Sequence, residues 1–547
     1  MYKVIRIFWH CDSRRFLLKL FYTLCGSLLP LVSLVMIKNI VDGATSAIVG
    51  NAGPETFGLP TILVASMAAF CGITLLNRWI SVLNSVNSDV LTQEIVDYIN
   101  GLIQIQSVQL DMAYYDNPDF HDTFHRAQQE AAFRPIRILE NIVQVFGSLI
   151  SLAGVAVMLF AASWKVIAVM VVAVVPTFCV RLYKSRRIYR FRRETTQMAR
   201  RSNYYGSLLS SSMYAKEVRS FGLANHFRKC YVDIRRRLVD QLLHISRRMA
   251  LLDSLTAVIE ALSLAAVLLI LVRPVVGGGL TIGTFVMLFE AFRRGQGYLN
   301  GLVGGVSGLY EHKLFINNLF EFLSLKPSIL SPDRPEPFPE KVESISFSDV
   351  TFAYPGMKHA VLSHYSLDAR FGEITRIEGE NGFGKTTLLK LLLRLYDPQE
   401  GAVCVNGIDI RRFDVFELRH NISAIFQDYV QFHFTARENI LFGDIDTPED
   451  AKRISDALRL ADAGPVVDTL SGGLDTVLGR QFENGEELSM GQWQRIALAR
   501  QLYSNAPILV FDEPTAWMDV KARSNFFMAL EELKPSHLII LVRHEEE

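Results

Sequence analysis

The sequence predicts a multidomain chain: an all-α polytopic membrane domain of six transmembrane helices, followed by an α/β domain built on a phosphate loop. Three observations carry this. Apolar stretches long enough to cross a bilayer recur through the first 310 residues. A proline-rich stretch over 326–344 then changes the composition of the chain. Beyond it Gly379-Glu380-Asn381-Gly382-Phe383-Gly384-Lys385-Thr386 fits G-x-x-x-x-G-K-[ST] between a strand pattern and a helix pattern. At 547 residues the chain is also too long for one domain.

A bilayer core needs about 20 apolar residues in a helix. Six stretches qualify, at about 16–41, 59–84, 137–161, 163–183, 250–273 and 282–308, within a membrane domain of 1–325. Lys3, Arg6, Arg14 and Arg15 precede the first. It is too long for a signal-peptide core and no small-residue cleavage site follows, so it reads as a membrane helix. The third and fourth spans meet in a short turn near Ser163-Trp164, the fifth and sixth at Gly277-Gly278-Gly279, so each pair is a hairpin. The connection 42–58 lacks Lys and Arg, whereas 184–249 is crowded with them, from Lys184, Arg186 and Arg187 to Arg247 and Arg248. Positive residues stay inside, which puts that segment, the N-terminus and, after six spans, the C-terminal domain in the cytoplasm.

The segments 85–136 and 184–249 have helical composition and read as membrane helices continuing into the cytoplasm. Each has one irregular spot, Met112–Asp119 and Ala215–Gly222. These are either solvated turns or tips that touch the C-terminal domain. Inside the spans Glu260, Glu290, Arg293 and Arg294 are ionisable, which is costly in lipid. Glu290 and Arg294 are spaced to pair on one helix face, as a structural ion pair or as lining of a polar path. Gly301, Gly304, Gly305 and Gly308 read as close helix packing. The net charge is zero, with 56 basic and 56 acidic residues, so no basic field suggests nucleic acid. The six cysteines have no metal-ligand spacing and read as small buried hydrophobes.

The soluble domain spans 345–547, with strands over 345–352 and 373–378 and a helix over 386–395. In the phosphate loop, glycines let backbone N–H groups point into one concavity at a helix N-terminus. Lys385 supplies a point charge to β- and γ-phosphates, and the Thr386 hydroxyl coordinates Mg²⁺. The apolar run Leu509–Phe511 reads as a buried parallel strand. Asp512 at its end suits a Mg²⁺ ligand, and the adjacent Glu513 suits orienting or deprotonating the attacking water.

These residues, with Leu488-Ser489-Met490-Gly491-Gln492 between them, resemble the ABC exporters, six helices fused to one ATPase domain, over essentially the whole chain. The resemblance makes Leu488–Gln492 the signature, with Ser489, Gly491 and Gln492 contacting nucleotide. It makes Tyr354 the aromatic that stacks on adenine, and Gln427 the glutamine that contacts Mg²⁺ and reports to the membrane half. Gly379 to Thr386, with Thr387, would bind ATP. Thr515 to Asp519 would form the D-loop, and His544 would be the switch histidine at the γ-phosphate. The tips near 112–122 and 213–223 would be coupling helices. Ser489 and Gly491 precede a helix whose N-terminus would face a phosphate. One chain carries one set of motifs, so it is half of a working unit. Two ATPase domains would close head to tail on two ATP, and export of an amphipathic or hydrophobic substrate would follow, across the cytoplasmic (inner) membrane of a bacterium. The second half-transporter could be a copy of this chain or a different one.

Against the family pattern, Met490 replaces a glycine, the D-loop reads Ala516-Trp517-Met518-Asp519, and Arg543-His544-Glu545 stands for Ser-His-Arg. The chain ends three residues after His544, short for the family, as a natural variant, a truncated gene or a fragment. With Lys385, Asp512, Glu513 and His544 present, hydrolysis is expected. The alternative is a non-catalytic or regulatory ATP-binding half of a heterodimer.

Overall fold

A computed structural model describes residues 2–49, 61–117, 120, 124, 128, 133–162, 164–357, 359–379 and 384–543. Two compact units emerge, one of Met1–Gln106 with Thr123–Ser324, the other of Ser107–Asp122 with Leu325–Glu547.

The first unit is helical. Its long helices are Tyr2–Val49, Thr61–Gln109 (whose last turn belongs to the second unit), Arg134–Ala162, Trp164–Glu194, Ala224–Val276 and Ile282–Leu323. The first five are long and apolar enough to cross a membrane. The sixth predicted span lies in Ile282–Leu323, whose 42 residues exceed the bilayer core but include Glu290, Arg293 and Arg294. The charges are satisfied on protein. Glu290 accepts from Arg293 at 2.7 Å and Arg294 at 3.2 Å, and Arg294 also donates to the Pro30 carbonyl at 2.8 Å. The Asp42 carboxylate accepts from the Gly283 N–H at 2.8 Å and the Thr281 hydroxyl at 3.0 Å. The glycine series packs closely against the Arg134–Ala162 helix. A Cβ at Gly301 would meet Ser148 Oγ at 2.8 Å, at Gly305 Val145 Cγ2 at 2.7 Å, and at Gly308 Asn141 at 2.5 Å. Gly304 differs, facing Arg181 at 3.3 Å. A core of Leu31, Leu34, Val155, Met170, Val267, Leu288 and Phe292 ties five of these helices together. Glu260 lines a polar cavity of about 610 Å³ with Arg181, Lys184, Asp253 and Asn300.

The second unit carries two sheets. An antiparallel one, ordered β2-β1-β4-β5, comprises β1 (Ser344–Phe352), β2 (Leu362–Arg370), β4 (Glu400–Val405) and β5 (Ile408–Asp409). A parallel one, ordered β3-β8-β7-β6, comprises β3 (Ile374–Ile377), β6 (Ile422–Ile425), β7 (Ile508–Asp512) and β8 (Leu538–Val542). All five residues of both β7 and β8 are buried, as expected of parallel strands covered on both faces. The register aligns their carboxyl ends: Val542 pairs with both Ile377 and Asp512, and Phe511 with Ile425. Ligands bind outside such aligned ends in open α/β sheets.

Two of the boundaries that differ from the sequence reading bear on the site. The helix after the phosphate loop is Lys385–Leu392, not 386–395, because Arg394 turns left-handed (φ +48°) and ends it. The signature helix starts at Met490, so Gly491 lies in its first turn instead of preceding it. Ser489 and Gln492 form a reciprocal capping box that fixes this earlier start.

Candidate nucleotide site

The aligned strand ends bring together residues far apart in sequence. Gly384 opens the Lys385–Leu392 helix with φ +86°, a conformation that favours glycine. A Cβ there would also meet Leu362 Cδ2 at 2.9 Å. The buried Lys385 ammonium donates to the Gly379 carbonyl at 2.8 Å and to the Arg543 carbonyl at 3.0 Å, beyond β8. Glu380, Asn381, Gly382 and Phe383 of the loop, and His544, lie outside the described residues.

Asp512 ends β7, is only 2% exposed, and accepts from the Thr386 hydroxyl at 2.8 Å. Burial pushes its carboxyl above the ordinary value, with the neighbouring Glu513 carboxylate adding to the rise and the Thr386 hydrogen bond opposing it. Glu513 follows with a left-handed backbone (φ +49°), the kind of sparsely populated conformation found at functional sites. Its Oε2 accepts from the Gln427 amide at 2.7 Å, across 86 residues of sequence. Asp512 and Thr386 thus set two oxygen donors side by side, one of them a buried carboxylate, the donor chemistry a hard cation prefers, while Gln427 reaches the neighbouring Glu513. Among the described residues no group of three or more His, Cys, Asp or Glu is placed to hold a metal ion.

Tyr354 lies after β1. Its hydroxyl shares a hydrogen bond with Thr387 at 3.0 Å, and the Lys390 ammonium stands 5.2 Å over its ring. Phe352 and Tyr396 meet that ring edge-on, at 5.0 Å and 5.3 Å.

The signature stretch is organised differently. The Ser489 hydroxyl accepts from Gln492 N–H at 3.3 Å, and the Gln492 side chain accepts from Ser489 N–H at 2.8 Å, so both cap their own helix. The Met490 sulfur accepts from the Gln431 amide at 3.4 Å, and the Met490 carbonyl accepts from Tyr429 at 2.9 Å. Gly491 sits under the D-loop: a Cβ there would meet the Trp517 carbonyl at 2.6 Å. Trp517 N–H in turn donates to Gln494 at 3.2 Å, and Asp519 caps the Val520–Leu533 helix. Met490 and Trp517 remain 45% and 58% exposed.

Sequence reasoning missed several partners. The Lys385–Arg543 contact, the Gln431–Met490 contact and Tyr396 leave no local signal, because loop-to-loop pairing has no periodicity to read. Arg500, inside the signature helix, donates to Asn439 Oδ1 at 2.7 Å, and burial lowers its guanidinium to about 10.

Known proteins share this organisation. Residues 16–294 match the family model for the ABC transporter transmembrane region, and residues 362–516 that for the ABC transporter. The chain is similar to the subtilin transport ATP-binding protein SpaT of Bacillus subtilis, with 25% identity over 100% of this chain and 87% of that protein. It is 31% identical to an ATP-dependent lipid A-core flippase of Desulfotalea psychrophila, over 76% of this chain and 70% of the flippase. In fold it resembles a solved bacterial Atm1-family ABC exporter with ATP bound, with a TM-score of 0.83 and 20% identity, covering 98% of this chain and 91% of that one. The chain belongs to the ABC transporters: it is a membrane-embedded half-transporter of the exporter type, with an ATPase domain that binds ATP and couples its hydrolysis to transport.

Proposed function

We propose that this chain forms one half of a dimeric exporter in a bacterial cytoplasmic membrane, moving an amphipathic or hydrophobic substrate by alternating access. The membrane domain would be 1–325, the linker 326–344 and the ATPase domain 345–547. The convergence of Lys385, Thr386, Asp512, Gln427 and Glu513 at aligned strand ends carries this reading. Lys385 would bind the β- and γ-phosphates with the backbone of Gly379, Glu380, Asn381, Gly382, Phe383 and Gly384, and Thr387 would flank them. Tyr354 would stack on adenine. Thr386, Asp512 and Gln427 would hold Mg²⁺, which when bound neutralises charge on the phosphates. Glu513, held by Gln427, would orient the attacking water and take its proton, with His544 at the γ-phosphate.

Ser489, Gly491 and Gln492 would face the nucleotide of a second half-transporter. Their polar groups cap their own helix, while Met490 and Trp517 stay exposed, as suits a surface completed by another subunit. The Lys- and Arg-rich 184–249 supports a cytoplasmic ATPase domain. The Met490 signature and altered D-loop favour a second reading, in which this chain binds ATP but depends on a partner half for turnover.

One experiment separates the two. Phosphate release is measured for the purified chain alone in lipid nanodiscs, beside Glu513→Gln. Turnover abolished by the substitution supports a self-sufficient homodimer. ATP binding without turnover in the unsubstituted chain overturns that and leaves the heterodimeric half.

A further inference from the structure

The segment Ser107–Asp122 interrupts the helical unit in sequence, yet it belongs to the compact ATPase unit. Its anchors are specific. The buried Asp111 carboxylate accepts from Ser328 N–H at 2.5 Å, from Ser328 Oγ at 2.6 Å and from Ile329 N–H at 3.3 Å. Ala113 packs against the β-sheet core, and the Tyr114 hydroxyl donates to the Lys326 carbonyl at 3.0 Å. The Tyr396 hydroxyl donates to the Asp116 carboxylate.

Tyr396 joins this segment to the wall behind Tyr354. Its ring is 4% exposed and stands edge-on to Tyr354, with centroids 5.3 Å apart and planes at 86°, and to Phe352 at 5.5 Å. One cavity of about 500 Å³ is lined by Asp111 and Ala113 together with Tyr354, Pro355 and Tyr396. Tyr354 is therefore fixed at its hydroxyl by Thr387 and along its edge by two rings, one of which ends on Asp116. Burial, and then the Asp116 carboxylate, push the Tyr396 phenol up, so it stays a donor at working pH.

We propose that Tyr396 is a positioning residue that couples the setting of the Tyr354 ring, and so the stacking of a nucleobase on it, to the Asp111–Asp116 segment through its hydrogen bond to Asp116. Closely packed rings pass on a displacement instead of absorbing it. Coupling between two sites is reciprocal, so breaking the contact at Asp116 must change base affinity by the same factor by which base stacking changes the contact. The inference rests on the reading that Tyr354 stacks on adenine.

The test uses the full chain in nanodiscs and two probes at fixed Mg²⁺: ATP, and inorganic tripolyphosphate, which carries the phosphates without a base. The ratio of their affinities isolates the contribution of the nucleoside. Tyr354→Ala should collapse that ratio. Tyr396→Phe and Asp116→Ala should each lower it by about fivefold. The double substitution should do no more than one alone, as expected for residues acting through one contact. Tripolyphosphate affinity should hold throughout, which also reports an intact fold. Asp116 is exposed, so Asp116→Ala, which removes the acceptor, stands as a test by itself if Tyr396→Phe fails to fold. Ratios unchanged in Tyr396→Phe and Asp116→Ala, with a normal Tyr354→Ala effect, overturn the coupling alone. So does an equal loss for both probes, the mark of a merely structural role. An unchanged ratio in Tyr354→Ala overturns the adenine reading and the inference with it.

Discussion

The two candidate nucleotide faces of the ATPase domain are built on opposite plans. On the phosphate-loop face, charged groups find partners across the fold: Lys385 on the Arg543 carbonyl, Glu513 on Gln427, Asp512 on Thr386. These hydrogen bonds join four separate stretches of chain, so geometry there is set by the whole sheet. On the signature face, Ser489 and Gln492 satisfy each other within one helical turn, and the exposed surface is Met490 and Trp517. The first face is arranged to hold charge; the second is arranged to be covered. Pre-positioned dipoles cost nothing to reorganise when a charged ligand arrives. A capped helix with exposed apolar neighbours gains most when another surface meets it.

Lys385→Ala strikes the first face and should have the largest effect. Losing charge-assisted hydrogen bonds to phosphate should weaken ATP binding by about ten- to a hundredfold, read by equilibrium titration. Affinity within threefold of the unsubstituted chain would break the contrast. Gly491→Ala strikes the second face. The added methyl meets the Trp517 carbonyl, so the D-loop must shift, at about 1–3 kcal/mol. Phosphate release should fall about tenfold while the affinity of the phosphate-loop face for ATP is kept. A loss of ATP affinity equal to the loss of rate would show that the faces are not separable.

Asp512→Asn sharpens the description of the first face through pH. A carboxyl whose folded pKa is raised stabilises the fold only where it is protonated. That contribution is present below its ordinary value of 3.8 and is lost as pH rises through the folded value. At pH 7.5 the buried carboxylate is therefore a net cost. The asparagine variant should melt at a higher temperature than the parent without nucleotide, with the gap closing toward pH 4, and should lose the stabilisation MgATP gives the parent. A lower midpoint at pH 7.5 would mean the Thr386 contact outweighs desolvation. The smallest effect is expected from Met490→Gly. The side chain is turned onto Gln431, so restoring glycine should change phosphate release by less than about threefold. A gain above tenfold would make Met490 a brake on the signature face.

Sequence legibility follows the same division. The strand–loop–helix context of Lys385 and the apolar strand ending in Asp512 could be read because each is local, with its own periodicity and turn chemistry. The glycine series in the last long helix predicts close packing, and the 2.5–2.8 Å approaches at Gly301, Gly305 and Gly308 fit it. Four-residue spacing predicts the Glu290–Arg294 pair, but the shorter contact is to Arg293, three residues away, and Arg294 also donates to Pro30. The Gln427–Glu513 hydrogen bond and the membership of 107–122 in the ATPase unit depend on strand order and register, which no local pattern encodes. The signature helix starts earlier than the sequence pattern suggests because the reciprocal Ser489–Gln492 cap fixes its start at Met490.

The links between the first and last long helices set an order on how the protein is made. Pro30 and Asp42, in the first helix, are made when the chain is barely begun, while Arg294 and Gly283, their hydrogen-bond partners, are more than 240 residues downstream. Until those are synthesised, Asp42 must be hydrated at the lipid boundary or masked by another protein, since an unpaired carboxylate is costly there. The helical unit therefore closes late and from both ends at once. A chain cut short just before the sixth helix leaves a first helix that has met Asn87 and Ser151 but still lacks the partners of Pro30 and Asp42.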